Sequence, residues 1–150
     1  MPEVKEKREV TEEYFLSEIY KNVKMGADSI INLLPSVKDD NLRSMMTMQL
    51  DGYEKYAARA AKALEERGIK AKEENLFTRV SARMGMAINT MIDSTTGHIA
   101  EMMIGGSNMG ITDMTKLLNG CEPGATEAMR LAREVVAFEE HNLELLKRYL

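Results

Sequence analysis

The chain has 150 residues, with 24 acidic and 20 basic side chains, a formal net charge of -4 and a single cysteine. That balance offers no electrostatic footprint for nucleic acid or an anionic membrane. One thiol excludes a disulfide framework within the chain, and no run approaches the roughly 18 apolar residues that a membrane span needs.

With 3 Pro, 10 Gly and no Trp, against an abundance of Ala, Leu, Met, Glu, Lys and Arg, composition predicts an all-α chain. The length suits one domain that buries about two-thirds of its unfolded surface. The start, Met1 to Glu9, is charged and lacks the apolar core of a secretion signal. Residues 1–10 are read as a frayed N-terminus and residues 11–150 as one domain, expected to be cytoplasmic.

In chain order, Thr11 can cap a first helix whose opening turn carries Glu12 and Glu13. Leu16, Ile19, Tyr20, Val23, Ala27, Ile30, Ile31 and Leu34 recur at helical spacing, so one face is buried. Pro35 cannot continue that helix, and Ser36 with Asp39 makes a capping-box-like start for the next. The second helix presents Leu42, Met45, Met46, Gln49, Tyr53, Ala57, Ala60 and Leu64 on one face and ends near Gly68. A polar connection, Lys70 to Glu74, precedes a resumed helical pattern from Asn75.

Unbroken helix from Asn75 to Leu118 would run about 65 Å, beyond any partner able to cover it. A break at Asp93-Ser94-Thr95-Thr96-Gly97 leaves a helix over Asn75–Ile92 as a connection, followed by a main helix from about Ser94 to Leu118. A break at Gly105-Gly106 gives instead a third helix from Asn75 to Ile104. The first is preferred, because Asp, Ser and Thr supply cap oxygens while isolated glycines are tolerated in a packed helix. Asn119-Gly120 ends this element. The last helix starts at Ala125 or Thr126 and turns Ala128, Leu131, Ala132, Val135, Val136, Leu143, Leu146 and Leu150 inward.

The polar residues on these buried faces are the candidates for function. A wheel at about 100° per residue places Glu139 and Asn142 in the apolar stripe of the last helix and turns Glu140 and His141 outward. A buried Glu139 needs a partner across the core, with Gln49, Tyr53 or a hydroxyl as the expected one. Gln49 and Tyr53 hold the equivalent stripe of the second helix. On the third, Met102, Gly106 and Gly110 line the inner face, and His98 lies at its edge as a buried, neutral hydrogen-bonding group. Gly106 and Gly110 either admit a close helix neighbour or leave a polar-lined void opposite Gln49, Tyr53 and Glu139. The 13 methionines fall mostly at core spacing, where Met fills gaps rather than binding soft metals.

A tight link, a longer crossover with its own helix and a second short link, ending in Glu139-Glu140-His141-Asn142-Leu143-Glu144-Leu145-Leu146, resemble the ferritin-like four-helix-bundle superfamily from about Thr11 to Leu150. The chain is most similar to small bacterial members that lack the full di-iron ligand set. Metal-binding members use a Glu from each of two helices and Glu-x-x-His from each of the other two. Glu139 matches the motif glutamate, whereas Asn142 stands where histidine belongs. The second helix offers Gln49 with Gly52 or Tyr53, the first Ala27, and the third Gly106 or Met102. The resemblance therefore implies the fold and argues against the usual chemistry.

No Walker loop, Cys-x-x-Cys, His-Glu-x-x-His or nucleophile elbow is present. The expectation is an all-α, ferritin-like four-helix bundle with an additional helix between helices two and three. It acts as a non-enzymatic, cofactor-free and metal-free binding or interaction protein. It is a homodimer through an exposed apolar helix face, has a possible small-molecule ligand in its core, and has neither nucleic acid nor membrane as partner. The alternative is a degenerate metal-dependent oxidoreductase or iron-handling protein whose site is built from Glu139, His98, Gln49 and Tyr53.

Overall fold

The computed structural model of the chain describes residues 10–71 and 95–150. Four α-helices lie within them: α1 (Glu12–Leu33), α2 (Asp40–Glu65), α3 (Thr96–Gly120) and α4 (Thr126–Leu146), with 3-10 turns at Leu34–Ser36 and Lys147–Tyr149. No described helix is long and apolar enough to cross a membrane. The connecting helix expected over Asn75–Ile92 lies outside the described residues, as does all of the expected N-terminal fraying except at Val10.

Helix ends follow local chemistry, with one correction. The Thr11 hydroxyl accepts from the Tyr14 amide at 3.2 Å and caps α1. The start of α2 is capped by Asp39, which accepts from the Leu42 amide at 2.8 Å, and not by Ser36, which the 3-10 turn around Pro35 absorbs. At the other end of α2, Gly68 takes a positive φ of 73°. Its amide and that of Ile69 close back on Glu65 and Leu64, both at 2.9 Å, the paired bonds of a Schellman stop. Helix α3 begins at Thr96 and runs without interruption through Gly105 and Gly106. The break considered at Gly105-Gly106 is therefore absent, and the helix starts within the Asp93–Gly97 stretch.

Phe15, Leu16, Ile19, Ile30, Leu42, Met46, Leu64, Ile99, Met114 and Leu146 are fully buried in one core shared by all four helices. Each is worth about 1.5–3 kcal/mol of transfer free energy. Helix α1 packs chiefly on α2 and α3 chiefly on α4, while α1 also touches both α3 and α4. Two expected core positions are exposed. Ile31 sits one residue, hence about 100°, off the buried Ile30. Leu150 lies beyond the turn that ends α4 and is 69% exposed.

Long-range capping fastens one end of the assembly. The N-cap residue of α4 is Ala125, whose methyl cannot accept a hydrogen bond. Glu12, from the first turn of α1, reaches across so that one carboxyl oxygen accepts from the amides of Glu127 and Ala128, both at 3.1 Å. Its other oxygen pairs with Arg67 at 2.8 Å. In return the Glu122 carboxylate accepts from the Glu12 amide at 3.1 Å. Val10 is tied rather than frayed: its amide donates to Gly120 at 2.9 Å and its carbonyl accepts from Glu122 at 3.0 Å. Replacing Glu12 by Ala leaves two helix-end amides and Arg67 without this acceptor. A loss of about 1–3 kcal/mol in urea unfolding is expected, well above the cost of removing the exposed Glu144 from its pair with Lys147.

Candidate functional site

Halfway along the core, α4 carries a carboxyl inside the molecule. Glu139 is 2% exposed, and burial pushes its acid up to about 8 from 4.5, with the nearby Asp113 charge adding to the rise and the Tyr53 hydrogen bond opposing it. The Tyr53 hydroxyl donates to Glu139 Oε1 at 3.3 Å. Burial, and then the charge of Glu139, hold the Tyr53 phenol above its ordinary range, while Ser107 and Asn142 beside it act in the opposite direction. The phenol is therefore a fixed donor.

Glycines make room for this pair. A Cβ at Gly110 would lie 2.7 Å from the Glu139 carboxyl carbon, so only a bare backbone on α3 lets the acid in. A Cβ at Gly26 on α1 would come within 2.6 Å of Tyr53 Cζ. Phe138 stacks edge-on against Tyr53, with ring centroids 5.0 Å apart, and rests where a side chain at Gly52 would stand. Asn22 on α1 donates its amide to the Gly110 carbonyl at 3.2 Å, in the interior. A carbonyl only accepts, so the Asn22 atom facing it is the nitrogen and Oδ1 is turned elsewhere.

Beside these groups is a cavity of about 40 Å³. Asn22, Tyr53, Met103, Ser107, Gly110 and Glu139 in its lining are buried, and Met25, Ser29, Met102, Gly106 and Met109 are half-buried. Asn22 Oδ1 and Glu139 Oε2 are buried without a hydrogen-bond partner among the described residues.

The expected site residues are only partly gathered here. Glu139, Tyr53 and Gly106 line the cavity, and Asn142 adjoins Tyr53. Gln49 is buried, yet its amide has no partner among the described residues and does not line the cavity. Of the partners expected for Glu139, it is Tyr53 that binds it.

His98 is not part of the site. It lies in the first turn of α3, about 18 Å along the axis from Gly110, with a side chain 40% exposed and 3.9 Å from Glu101. The pairing of Glu139 with His98 as metal ligands, and the fuller set with Gln49 and Tyr53, are thus not assembled. Gly106 is not the residue facing Glu139: a Cβ there would meet nothing within 4 Å, and Gly110, one turn on, takes that place.

Asn22 and Ser107, unnoticed in the sequence, are the additional polar groups. Asn22 lies at the i−4 and i−5 spacing from Gly26 and Ala27, and that spacing is the only signal that could have found it.

The donors around Glu139 do not fit a di-iron centre. Beside Glu139 stand the Tyr53 phenol, the Asn22 amide and the Ser29 and Ser107 hydroxyls, with the Asp113 charge near and no imidazole in the lining, and among the described residues no cluster of three or more His, Cys, Asp or Glu side chains could hold a metal. No family model, curated protein or solved structure matches the chain.

Two outcomes test this geometry. Gly110→Ala should cost about 1–3 kcal/mol through overpacking against the carboxyl, whereas Gly106→Ala should be neutral or stabilising by up to about 1 kcal/mol, since mid-helix Gly is disfavoured. Parallel urea unfolding of both variants measures the difference.

The second outcome concerns pH. Because the folded-state value of Glu139 lies above the unfolded one, folding favours the protonated acid. The stability it contributes is complete below about 4.5 and is lost as pH rises toward and through about 8. The decline, on the order of a few kcal/mol, should vanish in Glu139→Gln. A wild-type and variant pair with parallel pH profiles would refute it.

Proposed function

We propose that the protein is a non-enzymatic, metal-free four-helix bundle of ferritin-like arrangement that binds a small molecule in its core. The observation that carries this reading is the cavity between α1 and α3, where flexible methionines lead to Glu139, Tyr53 and Asn22. Binding pockets combine mostly apolar walls with a few convergent polar groups, and a buried acid with a displaced pKa marks such places. Methionines adapt their shape to what enters.

The ferritin-like part of the reading is supported by connectivity. A short link joins α1 to α2, a long one covers residues 66–95, and a short one joins α3 to α4. In such a bundle Glu139 stands at the level of a metal site, with Asn22, Tyr53 and Gly110 opposite where further ligands would be needed. Exposed Ile31 on α1 and Met48 on α2 supply apolar surface for the homodimer that belongs to the same reading. Light scattering at twice 16.9 kDa checks it.

Protein labelled with 13C at its methionine methyls provides the test of ligand binding. In a fragment screen, hits should move the resonances of Met25, Met102, Met103 and Met109 together, and Gly106→Leu, which fills the cavity, should abolish the shifts. No fragment perturbing this group would sink the small-molecule reading. Elemental analysis of protein purified without chelator checks the metal-free part. Stoichiometric iron or manganese that disappears in Glu139→Ala would overturn it.

A further inference from the structure

Two residues that line the cavity each carry an unsatisfied buried oxygen. Among the described residues, five buried side-chain atoms have no hydrogen-bond partner: Asn22 Oδ1, Glu139 Oε2, both amide atoms of Gln49, and Asn142 Nδ2. Only Asn22 and Glu139 belong to residues lining the cavity. Both are nine-tenths or more buried, at 5% and 2% exposure. They flank the same residue, since Asn22 donates to the Gly110 carbonyl while the Glu139 carboxyl occupies the space of the missing Gly110 Cβ.

The orientation of each group is fixed by its other bond. Asn22 has committed its donor to Gly110, which leaves an acceptor. Glu139 has committed Oε1 to Tyr53, which leaves Oε2. Among the described residues no Lys, Arg or His lines the cavity, so none of them compensates a Glu139 charge there. A ligand with several N–H donors and one positive charge satisfies both acceptors and supplies the counter-charge, while its hydrocarbon part lies among Met25, Met102 and Met109.

From this we infer that the cavity takes a short primary alkylamine in its ammonium form, the head donating to Asn22 Oδ1 and Glu139 Oε2. This rests on the small-molecule reading above and narrows it to a chemical class. The size agrees: about 40 Å³ is too little for a ring, because a dry cavity that admits benzene measures about 150 Å³, but it is enough for an ammonium head with a slender tail directed outward.

Binding has a proton balance. Below about pH 8 the unliganded acid is protonated. Entry of the ammonium expels that proton from the Glu139 carboxyl to the solvent, and the carboxylate remains paired with the intact R–NH3⁺. Among the described residues, the other ionisable groups facing Glu139 are the Tyr53 phenol on α2, which stays protonated, and Asp113 on α3, whose charge opposes the ionisation and is offset by the bound cation. The lining contributed by α1 (Asn22, Met25, Gly26, Ser29 and Leu33) has no ionisable side chain.

Isothermal titration calorimetry of the full chain at pH 7, with n-butylammonium chloride, 1-butanol and potassium chloride in two buffers of different ionisation enthalpy, tests this. Butylammonium should bind saturably and release close to one proton. Its affinity should rise as pH approaches 8 and fall about tenfold or more in Glu139→Gln and in Asn22→Leu, each of which removes a charge-assisted acceptor. Glu139→Gln keeps the shape of the acid and should fold; Gly106→Leu, which touches neither acceptor, should block the same binding.

Equal affinity for 1-butanol and butylammonium would overturn the ammonium assignment and leave a neutral-ligand pocket standing. Binding of potassium in place of the amine would also overturn it. Absence of heat from every probe, together with an empty fragment screen, would overturn the pocket itself. Amine binding unchanged in all three variants would place the site elsewhere and refute the inference.

Discussion

The interior of this molecule is arranged around the cost of burying one carboxyl. An isolated charge in a low-dielectric core is so unfavourable that the group either neutralises or finds partners, and Glu139 does some of each. It holds its proton to about pH 8 and accepts from Tyr53. Meeting those terms draws on every helix. Helix α4 supplies the acid and α2 the phenol. Helix α3 gives up a side chain at Gly110 so that the acid fits, and α1 gives up one at Gly26 so that the phenol fits. Asn22 then grips the backbone that the missing side chain exposes. Removing a single member leaves either an overlap or an orphaned polar atom.

A second polar cluster maintains the register on which that geometry depends. Glu12 caps α4 from α1, Glu122 answers from the link before α4, and Arg67 joins from the end of α2. Charge-assisted bonds to helix-end amides are directional and favoured by the helix dipole. They resist sliding of α1 against α4, which a purely apolar interface resists less sharply. Rigid alignment at this end and a fixed acid in the middle are what allow a cavity to persist between α1 and α3, where glycines and serines alternate with methionines.

The parts legible in the sequence are those set by local physics. Thr11, Pro35, Gly68 and Thr95 act within a turn or two of themselves, and each marks a helix boundary in the structure. The buried position of Glu139 and Asn142 and the exposure of Glu140 and His141 follow from the angle per residue along one helix. Ser36 was a plausible cap and lost to Asp39 because the 3-10 turn lengthened the link by three residues.

Other features needed a coordinate that no single helix carries. Whether Gly106 or Gly110 faces Glu139 depends on how far α3 is shifted along its axis against α4, and one turn decides between an open wall and a contact. His98 lies on an ordinary helical residue pattern, yet only the position of α3's first turn relative to its neighbours determines that it stays half in solvent. Asn22 reads as an unremarkable polar residue until α3 brings the Gly110 carbonyl against it.

The sequence by itself therefore determined an all-helical chain, its helix ends and the burial of an acid, since periodicity and capping are properties of neighbours along the backbone. The tertiary structure alone decided which groups meet that acid. The axial register and rotation of helices joined by links of very different length are set by the packing of the whole core and by the Glu12 cluster, not by any one segment.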